Sequence, residues 1–257
     1  LAALGGGNAK GEVAGGPATG LVANASPFAR DGVPGLAIGR ATAAAPTVGG
    51  DAIPAGEVLD NGIIRAVVDR RGHLVSLRSH VDGREVIPPD GAAGVLRLHR
   101  DEPNLWDAWD LDAHYRRTVT ELVEVDERRV ERSPTTATVV TVRRVGASTI
   151  EQRATLRAGA ADLEIELRVD WHEHERILKL AFPLDVHADR IAAETQFGHV
   201  TRPTHVNTSW DAARFEACQH RFVHIAEPDF GVAIANDSTY GYDVDRNGMG
   251  SCATAGC

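Results

Sequence analysis

Residues 162–171, DLEIELRVDW, decide the fold class. Leu163, Ile165, Leu167, Val169 and Trp171 alternate with Glu164, Glu166, Arg168 and Asp170. A chain that switches between apolar and charged at every step has the two-residue period of a β-strand with one buried and one wet face. The flanking stretches 135–144, 149–157 and 176–186 read as further strands separated by Gly, Ala or charged turns, and in the last of them Leu178, Leu180, Phe182, Leu184 and Val186 share a face. Successive strands joined by short turns predict an antiparallel meander. Farther upstream, residues 58–69 form a strand pair folded at Asn61-Gly62. Arg71-Gly72 is a turn, 73–79 the return strand, and Asp82-Gly83 a turn before 85–87. Downstream, 214–217 and 231–235 are strand-like, and Asn207 or Thr208 is placed to cap a helix. No 3.6-residue apolar stripe exceeds three turns, and there is no βαβ rhythm or nucleotide-type glycine loop. The fold class is therefore all-β, a large antiparallel β-sandwich.

Composition narrows the function classes. The 257 residues, 43% of them hydrophobic, suffice for one large β domain or two small ones. Lys and Arg total 27 against 36 Asp and Glu, and the net charge of -9 disfavours nucleic acid and anionic lipid as partners. No apolar run approaches the roughly 20 residues of a membrane span, and residues 1–20 lack the basic start and compact apolar core of a signal peptide. A cytoplasmic location is expected. Cys218 stands alone, and Cys252 and Cys257 fall in a Gly/Ala/Ser stretch, which gives neither a disulfide framework nor a CxxC metal spacing. The expected organisation is a linker or frayed end over 1–20, a small β segment over 21–56 that opens with a strand at 21–28, a sandwich over 57–244 and an irregular tail over 245–257.

Two blocks carry a family resemblance. The order FGH (197–199), RPTH (202–205), NTSWD (207–211), ARFE (213–216) and YGYD (240–243) resembles the glycoside hydrolase family 38 α-mannosidases in the β-rich part that follows their catalytic domain. The segment LHRDEPNLWDAWDLDAHY (98–115) is similar to the D-x-P-x-x-W-D-A-W-D segment of the bacterial and cytosolic or vacuolar members. The resemblance covers roughly residues 21–244. It implies a supersandwich of the galactose mutarotase-like kind, truncated at its C-terminal end. Family members are several times longer; their metal ligands, nucleophilic aspartate and acid/base aspartate lie in an N-terminal α/β-barrel to which nothing here corresponds. The chain is thus expected to be inactive alone, to hold no cofactor itself, and to have the missing catalytic domain as its partner. That domain would supply a zinc-type divalent ion and act on α-mannosides. A homo-oligomer is also an expected partner state.

The same two blocks supply the candidate site residues. Trp106, Asp107, Trp109 and Asp110 set aromatic faces beside carboxylates, as a sugar site needs for stacking and hydroxyl hydrogen bonds; the plainer reading is a loop whose Trp rings fill the core and whose Asp residues cap turns. His199, Arg202, His205, Asn207, Trp210 and Asp211 suit either a substrate rim or an interdomain face. With Arg214 they could also form a hydrogen-bonded cluster that fixes a long loop. His199, His205, Asp211, Glu216 and His220 fit no metal-ligand spacing. Two alternatives stay open: an aldose 1-epimerase with His199 or His205 as acid and Glu216 as base, and a non-catalytic carbohydrate-binding module centred on Trp106 and Trp109. The two blocks are expected to lie at one end of the sandwich.

Overall fold

The computed structural model describes residues 21–24, 27, 33–40, 47–106, 109–245 and 248–252. The chain divides into a small unit, residues 3–47, and a large one that holds residues 48–257. In the small unit β1 (Leu21–Asn24) pairs with β2 (Ala37–Arg40) as an antiparallel hairpin. Asn24 Nδ2 donates to the Val33 and Pro34 carbonyls at 3.0 and 3.1 Å. The expected linker 1–20 and the rest of the expected strand 21–28, apart from Pro27, lie outside the described residues.

The large unit begins with β3 (Ala52–Ile53), β4 (Gly56–Asp60), β5 (Ile64–Asp69) and β6 (Leu74–Ser79), a four-stranded sheet in sequence order. The Arg71-Gly72 turn between β5 and β6 forms as expected, because Asp69 Oδ1 accepts from the backbone N–H of Arg71 and His73 at 2.9 and 2.8 Å. Gly72 has φ 80°, and a Cβ there would come within 2.6 Å of the Thr141 side chain. The 85–87 strand is reduced to a single bridge, Arg78 to Glu85. Next come β7 (Val95–Arg100), a 3-10 helix (Ala113–Arg117) and β8 (Thr120–Glu121). The meander follows as β9 (Glu127–Arg132), β10 (Thr136–Val145), β11 (Ser148–Arg157) and β12 (Leu163–Asp170), with register Ile150 to Val169 and Gln152 to Leu167. Its outer face is wet and charged: Arg153 pairs with Glu131 at 2.6 Å, Glu151 at 3.3 Å and Glu166 at 3.5 Å.

The remaining elements are β13 (Arg176–Pro183), β14 (Arg190–Thr195), β15 (Gly198–Pro203), the one-turn helix α1 (Ser209–Ala212), β16 (Ala217–Cys218), β17 (Phe222–Ala226), β18 (Gly231–Ala235), β19 (Gly241–Asp245) and β20 (Gly248–Cys252). They build a four-stranded sheet ordered β15-β14-β17-β18 and a six-stranded one ordered β16-β19-β20-β13-β7-β8. The stretch expected as an irregular tail therefore includes a strand. Its sequence GMGSC shows no alternation because the strand sits between β13 and β19 and takes its register from both, Gly250 facing Asp243 on one side and Ala181 on the other. Residues 246, 247 and 253–257 lie outside the described residues.

One core joins Leu59, Val68, Leu74, Val139, Leu156, Ile191, Val223, Ile225 and Tyr242, drawn from four sheets. A second packs Leu96, Leu178 and Leu180 against Ile150, with Ile165, Leu167 and Val169 of β12 around them. The apolar face read from residues 162–171 is the one that closes this layer. On β13 the two-faced pattern misleads, because Ile177, Lys179 and Ala181 are buried as well.

Arg143 of β10 is 1% exposed. Nε donates to the Leu122 carbonyl at 2.9 Å, and Nη1 to Thr141 Oγ1 at 3.0 Å and Gln152 Oε1 at 3.3 Å. Nη2 donates to the Arg71 carbonyl, so one guanidinium ties the β5–β6 turn to the meander. Burial lowers its pKa, with Asp69 working the other way. Replacing it leaves buried carbonyls without donors, at roughly 1–3 kcal/mol each. Arg143→Met is expected to lower the unfolding free energy in urea by about 2–4 kcal/mol, and an unchanged midpoint would contradict this role.

Candidate functional site

The two motif blocks meet on the face of β13 opposite the meander. Tyr115, on the 3-10 helix, is 2% exposed and packs with Ile177, Leu111 and Phe215. Its ring meets His99 of β7 edge-on at 5.0 Å. Beneath it lies Lys179 of β13, 4% exposed. Lys179 Nζ donates to Tyr115 Oη at 2.9 Å and to Glu216 Oε1 at 2.5 Å, and pairs with Asp243 Oδ1 at 2.9 Å. Tyr115 Oη donates to the same Glu216 oxygen. Arg116 donates to the Phe215 carbonyl and pairs with Asp243 Oδ2 at 3.2 Å. Asp243 and Lys179 face each other across β20, where the register sets Gly250 in the row of Asp243 and Ala181.

Two cations and two carboxylates thus close on each other, as buried charges must. Burial pushes the Lys179 ammonium down, but the carboxylates of Asp243 and Glu216 outweigh it and raise its pKa to about 12. Tyr115 is pushed up to about 12, chiefly by burial, with Lys179 opposing and Glu216 adding to the rise. His99 is held below the usual imidazole range by burial.

The loop leading into the 3-10 helix is held by Asp112, whose Oδ2 accepts from Asn104 N at 2.8 Å and Asn104 Nδ2 at 2.7 Å. At its tip the Trp109 and Asp110 N–H groups donate to the Trp106 carbonyl. Trp106 takes φ 64°, and both Trp106 and Trp109 are exposed, the latter 91%. Asp110 is exposed too, its Oδ1 accepting from Leu111 N. Asp107 lies outside the described residues. The reading in which these Trp rings fill the core is overturned.

In the second block, Thr208 is the N-cap of α1. It forms a capping box with Asp211, whose Oδ2 also accepts from Asn207 N at 3.1 Å. Those backbone and hydroxyl donors hold the Asp211 carboxyl below its usual range. Trp210 is exposed. His199 lies on the exposed edge strand β15, and Arg202 of the same strand neighbours the buried Tyr242 hydroxyl and opposes its burial-raised pKa. Among the described residues, the anticipated cluster of Arg202, His205, Asn207, Trp210, Asp211 and Arg214 closes around Asn207, Thr208 and Asp211, with His205 near enough to act on the Asp211 carboxyl; Arg214 adds a backbone bond to the Asp211 carbonyl. The 214–217 strand shortens to Ala217–Cys218, since Phe215 turns down onto Tyr115.

Sequence reasoning missed Tyr115, Lys179 and Asp243 as a set, and Phe197. Phe197 sits at the β14–β15 turn with φ 69° and its side chain fully exposed. For a bulky residue a positive φ is strained. Among the described residues no group of three or more His, Cys, Asp or Glu is arranged to hold a metal ion. No helix there is long and apolar enough to cross a membrane.

Residues 59–250 match the family described as "Glycosyl hydrolases family 38 C-terminal domain". The chain is 38% identical over 189 residues to human "Alpha-mannosidase 2C1", covering 72% of this chain and 18% of the relative. It is 35% identical over 192 residues to "Alpha-mannosidase G" of Dictyostelium discoideum, with 72% and 18% covered, and 30% identical over 216 residues to an "Alpha-mannosidase" of Saccharomyces cerevisiae, with 75% and 19% covered. It therefore spans about a fifth of these relatives. The crystal structure of an α-mannosidase from Enterococcus faecalis shares the fold with TM-score 0.64 at 17% identity, over 80% of this chain and 26% of that one.

The Lys179 centre has a pH signature. Lys179 and Tyr115 both have folded-state pKa values raised above their ordinary ones, so both hold their protons more tightly when folded. The stability they contribute is complete below about pH 10 and is lost as the pH rises toward 12. The loss on deprotonating either group in the folded state is on the order of 2 kcal/mol. Urea midpoints measured from pH 9 to 12 are expected to fall accordingly, and Lys179→Met with Tyr115→Phe to flatten the curve. An identical alkaline slope in wild type and variant would contradict the assignment.

Proposed function

Because the chain belongs to glycosyl hydrolase family 38, as its C-terminal domain, we propose that it is the β-sandwich partner of a catalytic domain that hydrolyses α-mannosidic bonds. In this reading the loops carrying Trp106, Asp107, Trp109, Asp110, Phe197, His199, Arg202, His205, Asn207, Trp210 and Asp211 face that domain and rim its sugar cleft. The observation that carries it is the display of Trp106, Trp109, Phe197 and Trp210 to solvent, two of them at left-handed backbone positions, with the buried charge centre fixing the segments behind Trp109 and Trp210. Large apolar side chains in such number mark a surface meant to be covered. The nucleophile, the acid/base group and the zinc-type divalent ion belong to the catalytic domain; the described residues offer no ligand set for that ion. This chain's part is to orient the rim and exclude water from it. We place the protein in the cytoplasm, and without its partner domain the same face favours association of copies.

The epimerase alternative is not favoured. Glu216, its required base, is committed to Lys179 and Tyr115. A carbohydrate-binding module remains a second reading, carried by the exposure of Trp106 and Trp109; saturable binding of mannose oligosaccharides to the chain alone would favour it.

Alone, the chain is expected to leave an aryl α-mannoside unhydrolysed, and turnover above background in a preparation free of host mannosidase would contradict this. In the complete polypeptide, Trp106→Ala combined with Trp210→Ala should lower kcat/KM at least about tenfold, whereas the unfolding free energy of the isolated chain stays within about 0.5 kcal/mol of wild type, as for other exposed positions. Unchanged activity would remove these residues from the rim.

A further inference from the structure

The turn between β4 and β5 carries Asn61-Gly62, and one side-chain amide holds it. Asn61 Oδ1 accepts from the backbone N–H groups of Ile63 and Ile64, both at 3.0 Å. Its Nδ2 donates to the Arg157 carbonyl at 2.7 Å and to the Ala160 carbonyl at 2.8 Å, on the stretch that leads from β11 to β12. All four hydrogen-bonding positions of the amide are thereby used. The first sheet of the large unit is tied in this way to a segment 96 to 99 positions along the chain. Beside it, the Gly62 N–H donates to Asp60 Oδ1 at 2.9 Å, and His80 Nε2 lies 3.1 Å from both oxygens of the same carboxylate. Gly62 is exposed at φ 78°, and nothing lies within 4 Å of where a Cβ would stand.

An asparagine followed by glycine is chemically labile. With no Cβ beside it, the glycine nitrogen is unhindered and its backbone turns easily, so that nitrogen can attack the asparagine Cγ. The bond from Gly62 N to Asn61 Cγ forms, the bond from Cγ to Nδ2 breaks, and ammonia leaves with the proton that Gly62 N gives up. Water then opens the five-membered imide at one carbonyl or the other, leaving aspartate or isoaspartate. We propose that Asn61 is a site of spontaneous deamidation gated by its own turn. In the closed turn Nδ2 is held on two carbonyls, Oδ1 on two N–H groups and the hydrogen of the attacking nitrogen on Asp60, which keeps Cγ from Gly62. When the turn opens locally, these restraints are lost together and the reaction runs as in an unstructured chain. The change is one-way. A carboxylate has no hydrogen to donate, so the Arg157 and Ala160 carbonyls lose their donor and face a negative oxygen instead. Isoaspartate also lengthens the backbone by a methylene just ahead of Ile63. The modified chain has lost the tie between its first sheet and the β11–β12 connection, and this outcome does not depend on the mannosidase reading.

Incubation of the chain at about pH 8.5 and 37 °C, followed by peptide mapping with mass spectrometry, gives the deamidation rate at Asn61 separately from that at the chain's other Asn-Gly pair, Asn247-Gly248. A synthetic peptide of residues 57–67 gives the unrestrained rate in the same buffer. The folded chain should react at least about tenfold more slowly than the peptide. Hydrogen exchange of the Ile63 and Ile64 amides, both held by Asn61 Oδ1, measures how rarely the turn opens, and the slowing of deamidation should match that protection within about threefold. Asn61→Asp, which is the aspartate product made directly, should unfold at a lower urea midpoint than wild type. Deamidation as fast in the folded chain as in the peptide, a slowing that departs from the amide protection by more than about threefold, or an Asn61→Asp midpoint equal to that of wild type overturns the proposal.

Discussion

A lysine ammonium buried in the middle of a sheet is the constraint on which the rest of this site depends. Its desolvation would be prohibitive alone, so Lys179 draws Glu216, Asp243 and the Tyr115 hydroxyl onto it from three other segments of the chain. Those segments are the 3-10 helix, the stretch before β16, and β19. Once they are fixed, the neighbouring parts follow: Phe215 lands on Tyr115, Arg116 reaches the Phe215 carbonyl, and the chain on either side has little freedom in where it emerges. Removing one partner of such a set is far more damaging than the net worth of the set suggests, because the others remain buried and charged.

This centre also explains the sequence around it. A glycine at 250 sits in the row between Asp243 and Ala181. Two of the exposed aromatics lie a few residues outside the locked segments. Trp109 precedes Leu111 and Tyr115, Trp210 precedes Phe215 and Glu216, and Phe197 caps the edge hairpin. The fold spends its order on the base of these loops and presents large apolar side chains at their ends, which is how a rigid scaffold supports a binding surface.

Much of this was legible from residues alone. Alternation over 163–171 identified the meander and the face that seals the second core, because a strand packed on one side only keeps a strict two-residue period. Asn61-Gly62 and Arg71-Gly72 marked turns for steric reasons that the coordinates repeat. Lys179 was not legible: in a period-two pattern a lysine opposite Leu178 and Leu180 reads as solvent-facing, and its partners lie 37 to 64 positions away in sequence. Nor was β20, since a strand flanked on both sides needs no pattern of its own. The candidate residues of the two blocks were located by resemblance; what holds them became visible only when Tyr115 met Glu216.

The central claim is that the buried Lys179 charge holds the two motif-bearing segments in place while the meander stands independently of it. Amide hydrogen exchange of Lys179→Met against wild type tests this most directly. Faster exchange is predicted in 111–118 and 213–218, with 136–157 and 163–170 unchanged. Uniform acceleration through the meander, or no change in the two segments, would contradict it.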